Sequence, residues 1–511
     1  MLVLDQIAHY ATQAPTNIAV FGGAAERHDS DLTYSQLHQE IGLLAQQFSE
    51  QAIRHIGISL SNSWQWLVVE LAAMQAGVTV TPIPPFFSEQ QVKHLVSQGQ
   101  IEYVFVDKLA GGDGFPWPNQ VEGVWLEGTQ TLKLADTDIS LANMPANTCL
   151  ITYTSGTTGA PKGVCISQQL IDQVCQSLMS VVQELEVSQT LERHLCLLPL
   201  AVMLENIAGA FVTLCLGKSL VLVDQQQTGL SGSNGIDVPT LISCLTTFGP
   251  NSLILTPELL KLMLMLVASK AYQHQLHFIA VGGGHVPQAI LQQAAGLGLP
   301  VYQGYGLSEC GSVVALNTPS AQRFGSVGKP LTHIELSFSP SGEVCVKGAN
   351  ALGYLGAAGE PYQPFDDSII HTGDLGWLDE QGFLHLSGRQ KNVQINSFGR
   401  NFSPEWIESE INGLAGVSHS AIFGDGLPFI TAVIALLPNV SQVQLATALV
   451  QLNQQLPDYA QIHHWLVATT PFSFENGLLT SNGRLRREQV WHVYQHDIAA
   501  VYSSSQYVSA N

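Results

Sequence analysis

A ten-residue run rich in hydroxyl groups and glycine carries the clearest chemical pattern in the sequence. It extends from Thr154 to Gly163. Its glycines let the backbone turn tightly and approach a ligand, while its hydroxyls and Lys162 can donate hydrogen bonds to a polyphosphate. It is not a Walker A loop, because Pro161 precedes the lysine and Gly163 follows it. A surface loop of this composition is the alternative to phosphate binding by Thr154, Ser155, Gly156, Thr157, Thr158, Gly159 and Lys162.

Short apolar segments alternate with amphipathic ones through the first 300 residues, and one apolar segment leads into this loop. The pattern predicts helices over 63–75 and after Ser167. It predicts strands at 56–60, 78–82, 103–106, 149–153, 220–223, 253–255, 278–281 and 301–303. Such alternation is typical of parallel sheets covered by helices, so we expect an α/β protein.

The pattern changes near residue 320. From 324 to about 386 the chain is rich in turns and short strands, which predicts an antiparallel β region forming a small barrel. A third part begins after Gly388. There Ser403-Pro404-Glu405 predicts a helix start, because it offers an N-cap, a proline and an acid in the first turn. The last part is long enough for a small α+β lid domain.

Composition and charge restrict the class of protein. Hydrophobic residues make up 46% and charged residues 12%, which excludes disorder as the main state. The net charge of −21 disfavours nucleic acid and anionic lipid as partners. Eight cysteines without a CxxC pair predict reduced core thiols in a cytoplasmic protein. The first residues lack a positively charged region and no run of about 18 apolar residues occurs, so we expect neither a signal peptide nor a membrane span.

The loop at 154–163 resembles the phosphate loop of the adenylate-forming superfamily, which includes acyl-CoA synthetases, peptide-synthetase adenylation domains and luciferases. Further family motifs follow in the expected order: Gly304-Tyr305-Gly306-Leu307-Ser308-Glu309, His371-Thr372-Gly373-Asp374, Gly388-Arg389-Gln390-Lys391 and Pro404-Glu405-Trp406-Ile407-Glu408. The resemblance spans essentially the whole chain. It implies a large N-terminal domain (1–388) of two α/β subdomains plus a small β-barrel, a hinge (389–391) and a small mobile α+β C-terminal domain (392–511).

The resemblance also implies a nucleotide site. Tyr305 would stack on adenine, Asp374 and Arg389 would hold the ribose, and Glu309 would hold Mg²⁺ beside the phosphates. Taken alone, these residues have ordinary explanations, such as a core aromatic, a turn aspartate and a solvated acid. The remaining nucleotide contacts implied are Gly283, Gly284, Gly304, Gly306 and Ser308.

In the family, a carboxylate attacks the α-phosphorus of ATP and gives acyl-AMP and pyrophosphate. The resemblance implies that Lys162 and Mg²⁺ hold the leaving pyrophosphate, and that the C-terminal domain then rotates about Lys391 for thioester formation. One departure is Arg484, which stands where the family's catalytic lysine is expected. Arg484 either neutralises the transition state in the lysine's place or marks a weakened, specialised homologue that uses acyl-AMP differently or not at all.

The segment from Leu198 to Asn206 resembles the pocket motif of long-chain fatty acid–CoA ligases, which usually carry histidine where Val202 stands. Valine leaves an apolar wall, and no aspartate is present here to pair with an amino group. The pattern favours a medium-to-long aliphatic acid or an aryl-substituted one, while Glu205 leaves an amino acid open. The substrate pocket is expected to include Val202, Leu204, Glu205, Gly282 and Val313.

The acceptor follows from family frequency alone, which favours CoA. The only basic cluster comprises Arg484, Arg486 and Arg487. An acyl carrier protein is itself acidic, so the net charge of −21 would repel it unless a local basic patch meets it. An acyl-AMP ligase that loads a carrier protein remains the main alternative, followed by a catalytically weak acyl- or nucleotide-binding homologue.

Overall fold

Two mixed sheets of nine strands form the framework of the N-terminal part of the chain. The computed structural model describes residues 1–22, 31–107, 121–123, 125–134, 143–154, 161–183, 191–231, 235–348, 350–357, 360–365, 369–438, 440–480, 483 and 485–504. The first sheet has the strand order Lys329–Pro330, Ala315–Leu316, Val301–Tyr305, Phe278–Val281, Ser252–Leu255, Arg193–Leu195, Ser219–Val221, Ile18–Phe21 and Leu32–Thr33. The second has the order Gln363–Pro364, Gly353–Tyr354, Lys162–Ser167, Thr148–Thr154, Thr79–Pro82, His55–Ser59, Tyr103–Asp107, Thr129–Lys133 and Val121–Gly123.

The centre of each large sheet is parallel and buried on both faces. Neighbouring strands from Val301–Tyr305 to Ile18–Phe21 pair in parallel, whereas the edges pair antiparallel. Central residues such as Ile279 and Leu255 are fully buried, because helices cover both faces of parallel sheets. The predicted alternation of strands and helices is therefore confirmed, with Phe278–Val281 at the predicted bounds.

Helices fill the connections and cover the sheets. The α-helices are Leu2–Gln13, Tyr34–Glu50, Trp64–Ala76, Glu89–Gly99, Gln168–Gln183, Val212–Cys215, Gln225–Thr228, Val238–Phe248, Pro257–Ala268, Gln288–Gly296, Pro404–Asn412, Gln442–Asn453 and Arg487–Ser504. A π-helix spans Leu204–Phe211, and 3₁₀ turns span Ser308–Cys310, Gln390–Asn392 and Asp458–Ala460. Ser63 caps the predicted 63–75 helix by accepting a hydrogen bond from the backbone N–H of Trp66.

The turn-rich region forms a four-stranded antiparallel sheet. Its strand order is Ile334–Phe338, Glu343–Gly348, Ile369–Leu378 and Leu384–Arg389. Within the described residues the two edge strands do not pair with each other. Leu384 of one edge strand accepts from the Val327 N–H at 2.9 Å and donates to the Gly328 carbonyl at 2.8 Å, so the segment that leads to the other edge strand continues the sheet. The hydrophobic face packs on residues next to the first large sheet, including Val314 and Val327. The antiparallel β region expected from the sequence is therefore present.

The C-terminal part has its own hydrophobic core. A three-stranded sheet of Val417–Phe423, Ile430–Leu436 and Ile462–Val467 packs against the three C-terminal helices. Its polar contacts with the N-terminal part include three: Lys261 Nζ donates to the Asn412 carbonyl (2.8 Å), Ser409 Oγ donates to the His285 carbonyl (3.3 Å), and His285 Nε2 lies 3.4 Å from Glu410 Oε1. A smaller C-terminal α+β unit is thus present, as predicted.

Two further sequence predictions concern side chains and membrane spans. All eight cysteines are buried and unpaired, as the apolar runs around them predict. In the described part of the chain, no helix combines the length and the apolar character needed to cross a bilayer.

Candidate active site

The predicted phosphate loop joins two antiparallel strands. Thr148–Thr154 and Lys162–Ser167 pair so that Thr154 lies opposite Lys162. The chain therefore returns into a strand after the loop, whereas a Walker A loop opens a helix. Thr154 and Lys162 flank the turn; the predicted contacts Ser155, Gly156, Thr157, Thr158 and Gly159 lie outside the described residues.

Tyr354 brings Lys162 and Glu309 together. The Lys162 Nζ lies 5.2 Å from the centre of the Tyr354 ring, and the Tyr354 hydroxyl donates to Glu309 Oε1 at 2.8 Å. Burial, followed by the negative charge of Glu309, raises the pKa of Tyr354, so its phenol keeps the proton that it donates. Sequence reasoning missed Tyr354, because only the pairing of Gly353–Tyr354 with the Lys162–Ser167 strand places it here.

Glu309 has the chemistry of a magnesium ligand. In the described part of the chain, its Oε1 accepts from Tyr354, while no residue donates a hydrogen bond to its Oε2. A carboxylate oxygen left available beside a phosphate site suits Mg²⁺, which takes one or two carboxylates together with phosphate oxygens. The residues present therefore fit the cation that the sequence implies.

Tyr305, Asp374 and Arg389 form a second polar cluster. The Tyr305 hydroxyl donates to Asp374 Oδ2 at 2.6 Å, and Arg389 Nε lies 2.7 Å from Asp374 Oδ1. Asp374 and Arg389 are cross-strand partners, which explains their contact. Burial raises the pKa of Asp374 and outweighs the opposing effect of Arg389. Each carboxylate oxygen can accept a second hydrogen bond, so the cluster can still receive sugar hydroxyls.

Glycines bring two backbone turns close to this cluster. Gly283 has a φ of 80°, a conformation that L side chains rarely adopt. A Cβ on Gly306 would lie 1.7 Å from the Ser312 carbonyl oxygen, so no larger residue fits there. The wall of one cavity includes Gly282, Gly283, Gly304, Gly306 and Ser308. Gly284 follows Gly283 in the sequence.

That cavity has a volume of about 340 Å³ and a mainly apolar wall. It lies between the first large sheet, the Gln168–Gln183 helix and the π-helix. Four of the five predicted pocket residues line it, namely Val202, Leu204, Gly282 and Val313. Its volume is within the range of small-molecule sites, at the lower end.

Glu205 is placed differently from the prediction. It is fully buried behind the wall, where Oε1 lies 2.8 Å from His194 Nε2 and Oε2 accepts from the Leu198 N–H at 3.1 Å. The carboxylate is therefore engaged with protein groups and does not line the cavity. The cause is the π-helical backbone, which a pattern of residue types does not reveal.

The π-helix is also anchored on its other side. Asn206 Nδ2 donates to Glu70 Oε2 at 2.6 Å, and Trp66 Nε1 donates to the same oxygen at 3.2 Å. Burial raises the pKa of Glu70 to about 7. His194 and Glu70 were missed by sequence reasoning, because neither belongs to a recognisable motif.

The C-terminal predictions divide into three groups. Lys391 is exposed in the Gln390–Asn392 turn that leads into the C-terminal part. Arg484 lies outside the described residues. Arg487 belongs to the predicted basic cluster, but its Nε and Nη2 bind both oxygens of the buried Glu408 at 3.1 and 2.7 Å, so its charge is used within the domain.

The fold and these two polar clusters beside an apolar cavity define the class of protein. A family model described as AMP-binding enzyme matches residues 7–355, and one described as AMP-binding enzyme C-terminal domain matches residues 392–506. The chain therefore belongs to the family of AMP-binding enzymes.

Similar proteins agree with this placement. The long-chain-fatty-acid–CoA ligase FadD15 of Mycobacterium bovis is 23% identical and the match covers 89% of this chain and 88% of that protein. The 2-succinylbenzoate–CoA ligase of Bacillus pumilus is 25% identical over 82% of this chain and 84% of that protein. The fold is similar to that of O-succinylbenzoate coenzyme A synthetase from Bacillus subtilis in complex with ATP and magnesium ion, with a TM-score of 0.69, 20% identity and coverage of 95% and 98%.

Proposed function

We propose that this protein joins a carboxylic acid to AMP with release of pyrophosphate and then transfers the acyl group to the thiol of CoA. The observation that carries the proposal is the position of the apolar cavity, whose lining includes Gly304, Tyr305 and Ser308. An acid in this cavity would present its carboxylate to a nucleotide held by the Tyr305 cluster. Membership of the AMP-binding family and CoA ligases among the relatives support it.

The first step needs positioning and charge neutralisation. A carboxylate oxygen attacks the α-phosphorus, a bond to AMP forms, and the bond to pyrophosphate breaks, with no covalent enzyme intermediate. Asp374 and Arg389 would hold the ribose, while Thr154 and Lys162 would donate to the phosphates. When bound at Glu309, Mg²⁺ would neutralise charge on the leaving pyrophosphate.

The second step would use the C-terminal part. We propose domain boundaries at 1–388, 389–391 and 392–511, with rotation about Lys391. The small polar contacts of Lys261 and His285 with the Pro404–Asn412 helix support this, because few bonds need to break. Arg484 would bring a positive charge to the carboxyl end of the acid. An Arg484→Lys variant with an unchanged adenylation rate would exclude a special role for the guanidinium.

The substrate that we propose is a medium-to-long aliphatic acid, with an aryl-substituted acid as the alternative. The apolar wall around Val202 and Leu204 supports both. The relatives include one enzyme named for a fatty acid and one named for a benzoate, so they favour neither.

Pyrophosphate release over a panel of acids tests this proposal. We expect release with ATP, Mg²⁺ and apolar acids, followed by thioester formation when CoA is added. Thioester formation with a carrier protein and not with CoA would instead identify an acyl-AMP ligase. Absence of release with every acid, from protein that still binds ATP, would identify a binding homologue and refute the enzymatic proposal.

A further inference from the structure

A chain of three polar side chains reaches the wall of the mainly apolar cavity. The Ser252 Oγ lies 2.9 Å from His194 Nδ1, and His194 Nε2 lies 2.8 Å from Glu205 Oε1. Glu205 is fully buried and the His194 side chain is 5% exposed. Ser252 and His194 both line the cavity, and Ser252 is half-buried there.

The backbone makes room for this chain. A Cβ on Gly209 would lie 2.5 Å from Glu205 Oε1 and 2.8 Å from His194 Nε2, so only glycine admits the pair at this distance. Burying ionisable groups is costly unless they are paired. The contact between Glu205 and His194 leaves His194 Nδ1 to be satisfied, and Ser252, at the cavity wall, supplies that partner.

Ser252 has hydrogen-bonding capacity to spare. In the described part of the chain, His194 is the only side chain that bonds its hydroxyl. A hydroxyl has one donor and two acceptor positions, so positions beyond the bond to His194 remain for a ligand in the cavity that Ser252 lines. If His194 Nδ1 is protonated, Ser252 can donate to a ligand; if Nδ1 accepts, Ser252 can accept from one. A ligand hydroxyl satisfies both cases, because it donates and accepts.

The position of Ser252 sets where that ligand group must lie. Ser252 begins the Ser252–Leu255 strand. At the other end of this strand the Leu255 carbonyl accepts a hydrogen bond from the N–H of Gly282, the first of three consecutive glycines. Three residues of extended strand separate Ser252 from Leu255, which at about 3.3 Å per residue is about 10 Å. Gly282 lines the cavity together with Gly304, Tyr305 and Ser308, beside which the proposed nucleotide would lie, so the carboxylate of the acid would react there.

We propose that Ser252 selects acids that carry a hydroxyl group about 10 Å from the carboxyl group, a distance that follows from the strand rise. His194 and Glu205 act as positioning residues. The His194 ring nitrogens bond to Ser252 and Glu205, so these atoms hold the Ser252 hydroxyl in place and do not bond to the acid. This inference rests on the proposed activation of carboxylic acids and narrows the class of acid.

A series of hydroxylated acids tests the inference. The series has one straight-chain length and moves the hydroxyl carbon by carbon, with the unsubstituted acid as reference; kcat/KM for pyrophosphate release is measured. We expect an optimum position at which the hydroxy acid exceeds the reference about 3- to 10-fold, the value of one net hydrogen bond. Ser252→Ala should abolish the optimum, whereas Ser269→Ala, at a serine outside the cavity wall, should keep it.

Two controls keep the outcome interpretable. Melting temperatures show whether each variant folds, and calorimetric binding of the same acids to the wild-type protein gives the comparison without turnover. An unsubstituted acid that exceeds or equals every hydroxy acid in both measurements overturns the inference, as does a folded Ser252→Ala variant that keeps the optimum. Absence of pyrophosphate release with any acid would instead refute the proposed function, and the binding series would still decide on Ser252.

Discussion

The buried carboxyl group of Glu70 should make the stability of the protein depend on pH. It lies in the Trp64–Ala76 helix with no exposed surface, and Oε1 has no hydrogen-bond partner among the described residues. Burial raises its pKa from 4.5 to about 7. The folded state therefore binds this proton more tightly than the unfolded chain does. The resulting stabilisation is complete below pH 4.5 and is lost as pH rises through about 7.

The magnitude follows from the two proton affinities. Each tenfold difference in proton affinity between the folded and unfolded states corresponds to about 1.4 kcal/mol. A rise in the pKa of Glu70 from 4.5 to about 7 therefore amounts to roughly 3 kcal/mol. In Glu70→Gln the side chain stays uncharged at every pH, so this contribution disappears. We expect the stability difference between variant and wild type to shift by roughly 3 kcal/mol in favour of the variant between pH 4.5 and 8.5.

Urea unfolding, followed by tryptophan fluorescence at closely spaced pH values, measures this difference. Glu50→Gln is the matched control, because it makes the same charge change at an exposed position of the adjacent Tyr34–Glu50 helix. Parallel stability curves for wild type and Glu70→Gln would refute the reasoning. A shift of the same size in Glu50→Gln would also refute it, since net charge and not burial would then be the cause.

The remaining predictions concern the cavity wall and the nucleotide site. Gly209→Ala should lower the free energy of unfolding by about 1–3 kcal/mol, because the added methyl would lie 2.5 Å from Glu205 Oε1. The control Gly296→Ala, whose added methyl would have no atom within 4 Å, should change it by less than about 1 kcal/mol. Thermal unfolding of both variants measures the difference. Asp374→Asn should raise the KM for ATP about tenfold or more with a smaller change in kcat, because hydrogen bonds to a charged group contribute about 1.5–3 kcal/mol. Titration of pyrophosphate release with ATP measures this KM, and an unchanged value would contradict the assignment. Glu309→Gln should shift the magnesium dependence of pyrophosphate release to higher concentration, and an identical magnesium titration would contradict the assignment.

The framework of the protein was predictable from local patterns. Apolar runs such as 278–281 mark buried parallel strands, and Ser63 marks a helix start, because capping and burial are short-range effects. The helix at Pro404–Asn412 also begins where predicted, with proline in its first turn, although the Ser403 side chain makes no capping hydrogen bond. The antiparallel sheet at 334–389 was likewise predicted from its turns and short strands. The backbone hydrogen bonds that join Leu384 to Val327 and Gly328 were not, because these residues are distant in sequence.

Site residues that belong to a sequence motif were predictable, whereas residues outside such motifs were not. Tyr305, Asp374 and Arg389 were named from motifs, and the structure brings the three together. Glu205 was expected on the cavity wall, but the π-helix turns it toward His194. Pairings between residues far apart in sequence, such as Tyr354 with Glu309, depend on the whole topology, and no short pattern encodes them.

The buried thiols offer a practical way to test the proposed rotation of the C-terminal part. Because all eight native cysteines are shielded, a labelling reagent should find little to react with on the folded protein. A cysteine introduced on the exposed side of each domain could then carry a fluorescent dye or spin label without first replacing the native eight. Distances between two such labels, recorded with ATP, acid and CoA in turn, would show whether the C-terminal part rotates as proposed.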